Sequence, residues 1–225
     1  MKIRFIIIIF LLLPKISFGQ QFYRIKAEFT IKAKLTDGTS QLTMGTVYYD
    51  KNAKKLIYKI KFPEPEIWVT KDTILYKIVN DTIKERMKIP AMNEFSIFHL
   101  SLNGRLPDYG LQNSYYTISD VEKDEELVIT TWLPSQGLRK QFGKILISNL
   151  DKRLYGIIFY DPEDVMLSKQ FFEEYNNYQG MEFPNKIVQI SYVEGQENYQ
   201  ITTFRTILIN DIKENDIYNY SLPDL

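Results

Sequence analysis

From Tyr23 to Leu35 the chain alternates without a break. Tyr23, Ile25, Ala27, Phe29, Ile31, Ala33 and Leu35 fall on one parity, and Arg24, Lys26, Glu28, Thr30, Lys32 and Lys34 on the other. Successive side chains of an extended backbone point to opposite faces, so this period of two predicts a long strand with one apolar and one wet face. That pattern belongs to an antiparallel sheet with a core on one side only.

The same rhythm continues. Asp37-Gly38 is a turn signal, and strands are expected over Leu42–Asp50 and Lys55–Phe62, the latter stopped by Pro63 and Pro65. Ile67–Thr70 and Ile74–Val79 form a hairpin around Lys71-Asp72, and Thr82–Met87 follows Asn80-Asp81. These six strands follow one another as a meander. After Pro90 the period changes. Met92, Phe95, Phe98 or His99, and Leu102 recur at helical spacing, with Gly104 placed as a stop. Ile97 and Leu100 lie off that stripe, so the helix is apolar around most of its circumference, unlike a helix with one wet face. It reads either as a fully buried helix or as a lid.

Strands resume over Tyr115–Ile118, Glu126–Leu133, Phe142–Ser148 and Leu154–Tyr160, with the acidic run Asp120 to Glu126 read as a solvated loop. Residues 164–183 read as a strand and then a turn ending at Pro184, and Ile187–Val193 and Tyr199–Ile209 are the last long strands. About eleven antiparallel strands with one apolar face are expected to curl around a core or cavity.

The first residues carry an address rather than a fold. Lys2 and Arg4 precede the apolar run Phe5–Leu13, and Ser17 and Gly19 supply small residues for a signal peptidase. The run is too short to span a bilayer, and Pro14 and Lys15 interrupt it. The expected organisation is a signal peptide over 1–19, cleaved near Gly19, and one domain over 20–225. Without Lys2, Arg4 and Lys15, 25 basic residues face 28 acidic ones. Spread-out charge near balance argues against a nucleic-acid partner. The chain has no cysteine to form a disulfide or accept a lipid, and a single histidine, His99, which cannot complete a zinc site. No nucleophile elbow, phosphate loop or dinucleotide fingerprint occurs. Neither an enzyme nor a cofactor is expected.

Four segments, in order, resemble the LolA-like periplasmic carriers of outer-membrane lipoproteins and their lipoprotein-sorting relatives. They are KKLIYKIKFPEPEIWVTKDTILYKI (54–78), IPAMNEFSIFHLSLNGRLPDY (89–109), ISNLDKRLYGIIFYD (147–161) and FRTILINDIKENDIYNYSLPD (204–224). The family's Arg-Pro step after the second strand is replaced here by Asp50-Lys51-Asn52-Ala53-Lys54, so no arginine latch carries over. The resemblance implies a mainly β, curled half-barrel of about eleven strands with a helical lid. It also implies an exported, periplasmic binding protein for the acyl chains of lipoproteins or lipids, working as a monomer with inner- and outer-membrane transport proteins. Several hundred square ångströms of exposed acyl surface, at about 25 cal/mol per Å², make unassisted aqueous transit prohibitive. Phe29, Ile31, Leu56, Tyr58, Trp68, Leu75, Met92, Phe95 and Phe98 are expected to line the cavity and lid. The alternative from another class is a non-catalytic structural subunit of an envelope assembly, with the same fold and a solid core.

Overall fold

A computed structural model describes residues 21–89 and 96–223. The signal-peptide reading and the two lid residues Met92 and Phe95 lie outside the described residues. Six strands come first: β1 (Arg24–Lys34), β2 (Ser40–Asp50), β3 (Lys55–Phe62), β4 (Glu66–Lys71), β5 (Ile74–Val79) and β6 (Thr82–Lys88). A short helix α1 (Ile97–Leu102) separates them from β7 (Tyr116–Asp124), β8 (Leu127–Pro134), β9 (Ile145–Leu150) and β10 (Arg153–Tyr160). Then come β11 (Met166–Tyr178), β12 (Met181–Val193), β13 (Gln196–Ile209) and a helical turn α2 (Asn215–Tyr218).

All thirteen strands form one antiparallel sheet in the order β6-β5-β4-β3-β2-β1-β13-β12-β11-β10-β9-β8-β7, curled as a half-barrel. Two meanders are joined where β1 meets β13, with Ile25 opposite Ile209 and Phe29 opposite Phe204. β6 and β7 are consecutive in sequence yet lie at opposite edges. The connection between them therefore has to cross the sheet, and α1 lies on that crossing, which is called the strap below. The face that α1 covers is called inner below.

Three sequence expectations change. The turn expected in the later part of residues 164–183 is only Gln179-Gly180, both at positive φ: β11 runs to Tyr178 and β12 resumes at Met181. Pro184 sits buried inside β12 opposite Tyr175, beside a lapse in the ladder where Glu174 turns to φ +57. Its missing N–H removes little where pairing is already interrupted. The acidic stretch Asp120–Asp124 is strand, not loop, because β7 is an edge whose faces are both wet and needs no apolar alternation. Finally, the first meander is not wet on its outer face. Thr46 to Asp50 are all buried, because the segment through Ile217, Tyr218, Tyr220 and Leu222 packs behind β2–β5 on Tyr48, Ile57, Val69 and Ile78.

Candidate functional site

The inner face is built from strict register. Ile25, Ala27 and Phe29 on β1 stand opposite Tyr49, Val47 and Gly45 on β2, and Tyr49 and Val47 stand opposite Leu56 and Tyr58 on β3. Tyr58 in turn faces Trp68, and Leu56 faces Thr70, which faces Leu75. So the six strand residues singled out by sequence, Phe29, Ile31, Leu56, Tyr58, Trp68 and Leu75, share one face. Phe29 and Tyr58 meet edge to face at 5.2 Å between centroids, and Tyr58 and Trp68 lie 6.4 Å apart. Burial among these apolar side chains pushes the Tyr58 hydroxyl up to about 12. Gly45 lets β3 approach, since a Cβ there would stand 2.2 Å from the Lys59 carbonyl oxygen.

Helix α1 is where the two halves meet. Ser96 caps it, its hydroxyl accepting from the His99 N–H at 3.2 Å. Phe98 is 1% exposed and enters the core of the first meander and the β12–β13 strands. It stacks on Phe183 at 5.7 Å and meets Phe204 edge-on at 5.4 Å. Leu100 turns the other way, into a second core with Leu106, Trp132, Ile147, Ile157 and Phe172. The helix is apolar all round because it sits between two apolar clusters, with Ile97 touching both. His99 is held by Tyr49, whose hydroxyl lies 2.7 Å from Nδ1.

Sequence reasoning missed the half of this face contributed by β8–β13: Trp132, Phe172, Met181, Phe183 and Phe204. Their alternation is visible, but which parity faces inward depends on cross-strand register. Beside the strap, Ser101, Leu102, Leu106, Leu154, Met181 and Phe22 line a cavity of about 260 Å³. Toward the other end of the strands the inner face turns polar. Gln170, Gln189, Gln200, Ala33 and Gln41 stand opposite one another in one row across five strands. The apolar surface is thus bounded, dry under α1 and amide-lined beyond it. Among the described residues no group of three His, Cys, Asp or Glu stands close enough to hold a metal, and no helix is long and apolar enough to cross a membrane.

No family model and no curated protein matches the sequence. Solved structures do match the fold. A LolA superfamily protein of Nitrosomonas europaea aligns with a TM-score of 0.58 at 13% identity, over 88% of this chain and 90% of that one. The chain has a LolA-type fold. A domain from Vibrio parahaemolyticus described as outer-membrane lipoprotein-sorting gives 0.58 at 13% identity, over 90% and 92% of the two chains. A DUF1329 family protein of Desulfovibrio piger gives 0.59 at 12% identity, over 91% and 93%. The sheet here has thirteen strands where the sequence leads one to expect about eleven.

Proposed function

We propose that this chain is an exported, non-catalytic binding protein for acylated ligands, a lipoprotein or a lipid, held on the inner face of the half-barrel. The observation that carries the reading is the apolar surface of Phe29, Ile31, Tyr58 and Trp68 packed on the cluster that Phe98 and Leu102 of α1 enter, on the connection that joins the two edges of the sheet. The likeness of the fold to a lipoprotein-sorting domain supports it. Phe98 fills much of the space under the strap, so an acyl chain longer than the 260 Å³ cavity accommodates has to displace α1. Periplasmic residence follows from the same reading, as do partners that deliver and receive the acylated cargo.

The filled core under α1 also favours the second reading, a scaffold subunit with no cargo. A titration separates them. Both tryptophans of the chain, Trp68 and Trp132, lie on the inner face and report on it directly. A fluorescent fatty acid is expected to bind saturably at micromolar concentration and to accept energy transfer from Trp68. Replacing the partly buried Ile31 and Tyr58 by Gln is expected to weaken binding more than it lowers the melting temperature. Absence of saturable binding by the wild type ends the carrier reading and leaves the scaffold.

A further inference from the structure

The sheet is open at β6 and β7. Along β6 every residue but Ile83 is exposed, and along β7 every residue but Tyr116. Among the described residues, each edge leaves a row of backbone N–H and C=O groups without a strand partner. The charges on the two edges differ in sign. β6 carries Lys84, Arg86 and Lys88, and its one acid, Glu85, is engaged by Lys77 at 2.7 Å. β7 carries Asp120, Glu122 and Asp124 against one base, Lys123. None of these three bases and three acids has an ion-pair partner among the described residues. Arg86 and Lys88 stand opposite Tyr76 and Ile74, and Asp120, Glu122 and Asp124 opposite Thr131, Ile129 and Leu127, which places those five on the outer face; Lys84 sits at a register shift between Glu85 and Ile83, with no partner on β5.

Strand parity then restricts how two copies can join. Thirteen strands with every neighbour antiparallel make β6 and β7 run in the same direction. With inner faces on the same side, two copies join either by unlike edges in parallel or by like edges antiparallel. Like edges set bases against bases or acids against acids. Unlike edges allow one parallel register that sets Arg86 on Glu122 and Lys88 on Asp124, with Lys84, at the β6 register shift, coming next to Asp120. Charged edges ordinarily deter all pairing; charges segregated by sign deter only the like-edge kind.

We propose that the β6 edge of this chain docks in parallel on the β7 edge of a second copy, continuing the sheet from one molecule to the next. The partner is a second copy rather than another protein because both members of the complement are on this chain. The contact is head-to-tail and does not use the inner face, so it stands whether or not acylated ligand binds there. It departs from the monomer expected from sequence. Because the two patches differ, the assembly grows as a ring or an open chain.

Sedimentation velocity of the purified protein tests this. The average mass is expected to rise with concentration at low salt and to return to the monomer near 1 M salt, where the screening length is about 3 Å. K84E/R86E/K88E has two acidic edges and D120K/E122K/D124K two basic ones, so each alone is expected to stay monomeric. An equimolar mixture is expected to associate again, because every edge of one then complements an edge of the other. D120N/E122Q/D124N, which introduces no new repulsion, is expected to be monomeric too, and melting curves check that all variants keep the fold. A wild type that is monomeric at every concentration, a reversed variant that still associates alone, or a mixture that does not associate overturns the proposal.

Discussion

The two meanders share one sheet and one strap, yet they are layered differently. Behind β2–β5 lies the segment after β13, and Tyr218 is 1% exposed against Tyr48 at 5.5 Å with the Arg24 guanidinium 4.4 Å over its ring. Arg24 also donates to Asp50 at 2.6 Å, and both side chains are largely buried. Behind β8–β13 the outer face carries Ile129, Leu146, Ile158, Phe171, Ile190 and Ile201, only partly buried, and no buried cluster forms there among the described residues. The first half has three layers and the second two. An apolar parity on a strand therefore does not say which face is covered; a segment remote in sequence decides it.

If that contrast is right, Tyr218→Ala removes a fully buried ring and is expected to cost about 3–5 kcal/mol in urea unfolding. Ile190→Ala, on the bare outer face, is expected to cost about 1 kcal/mol. Equal losses would erase the distinction between the halves. A smaller effect follows from acid. Lys26 and the Tyr48 hydroxyl both bond the Glu214 carboxylate and hold it below its ordinary value of 4.5. A carboxyl lowered by folding stabilises fully above its unfolded value, and that contribution is lost as pH falls through the folded one. Hydrogen exchange is expected to show residues 215–218 loosening below about pH 4.5 before β8–β13 do, and Glu214→Gln to remove that pH dependence. The smallest effect is reserved for Lys32→Ala on the exposed parity of β1, expected within about 0.5 kcal/mol of wild type.

The sequence made the inner face of the first meander legible because turns such as Asp37-Gly38 and Asn80-Asp81 are short and fix the register of neighbouring strands. Alternation alone turns Phe29 and Ile31 inward on β1, and the resemblance groups Leu56, Tyr58 and Trp68 with them. The second meander was harder for two physical reasons. β7 lies at an edge, so burial imposes no period on Asp120–Asp124, and β11 and β12 carry a lapse at Glu174 that hides a continuous hairpin. The pairing of β1 with β13 and the covering of Tyr48 by Tyr218 join residues 165 to 184 positions apart, beyond any local signal. Phe98 was found as part of an all-round apolar helix, but its role as the junction of two cores needed the positions of Phe183 and Leu106.

The closure of β1 on β13 also sets an order of events in time. Until β13 has been synthesised, β1 has a neighbour on one side only, and the apolar row Ile25, Ala27 and Phe29 lacks Ile209, Ile207 and Phe204. Each meander can zip locally, but the seam between them closes a loop of nearly the whole described chain, a non-local step of the kind that makes β proteins fold slowly. The strap closes a second long connection, tying the first edge to the last. Until both are made, the protein presents unpaired strands and an open apolar face, and its solubility in that interval depends on whatever holds the unfinished chain apart from others like it.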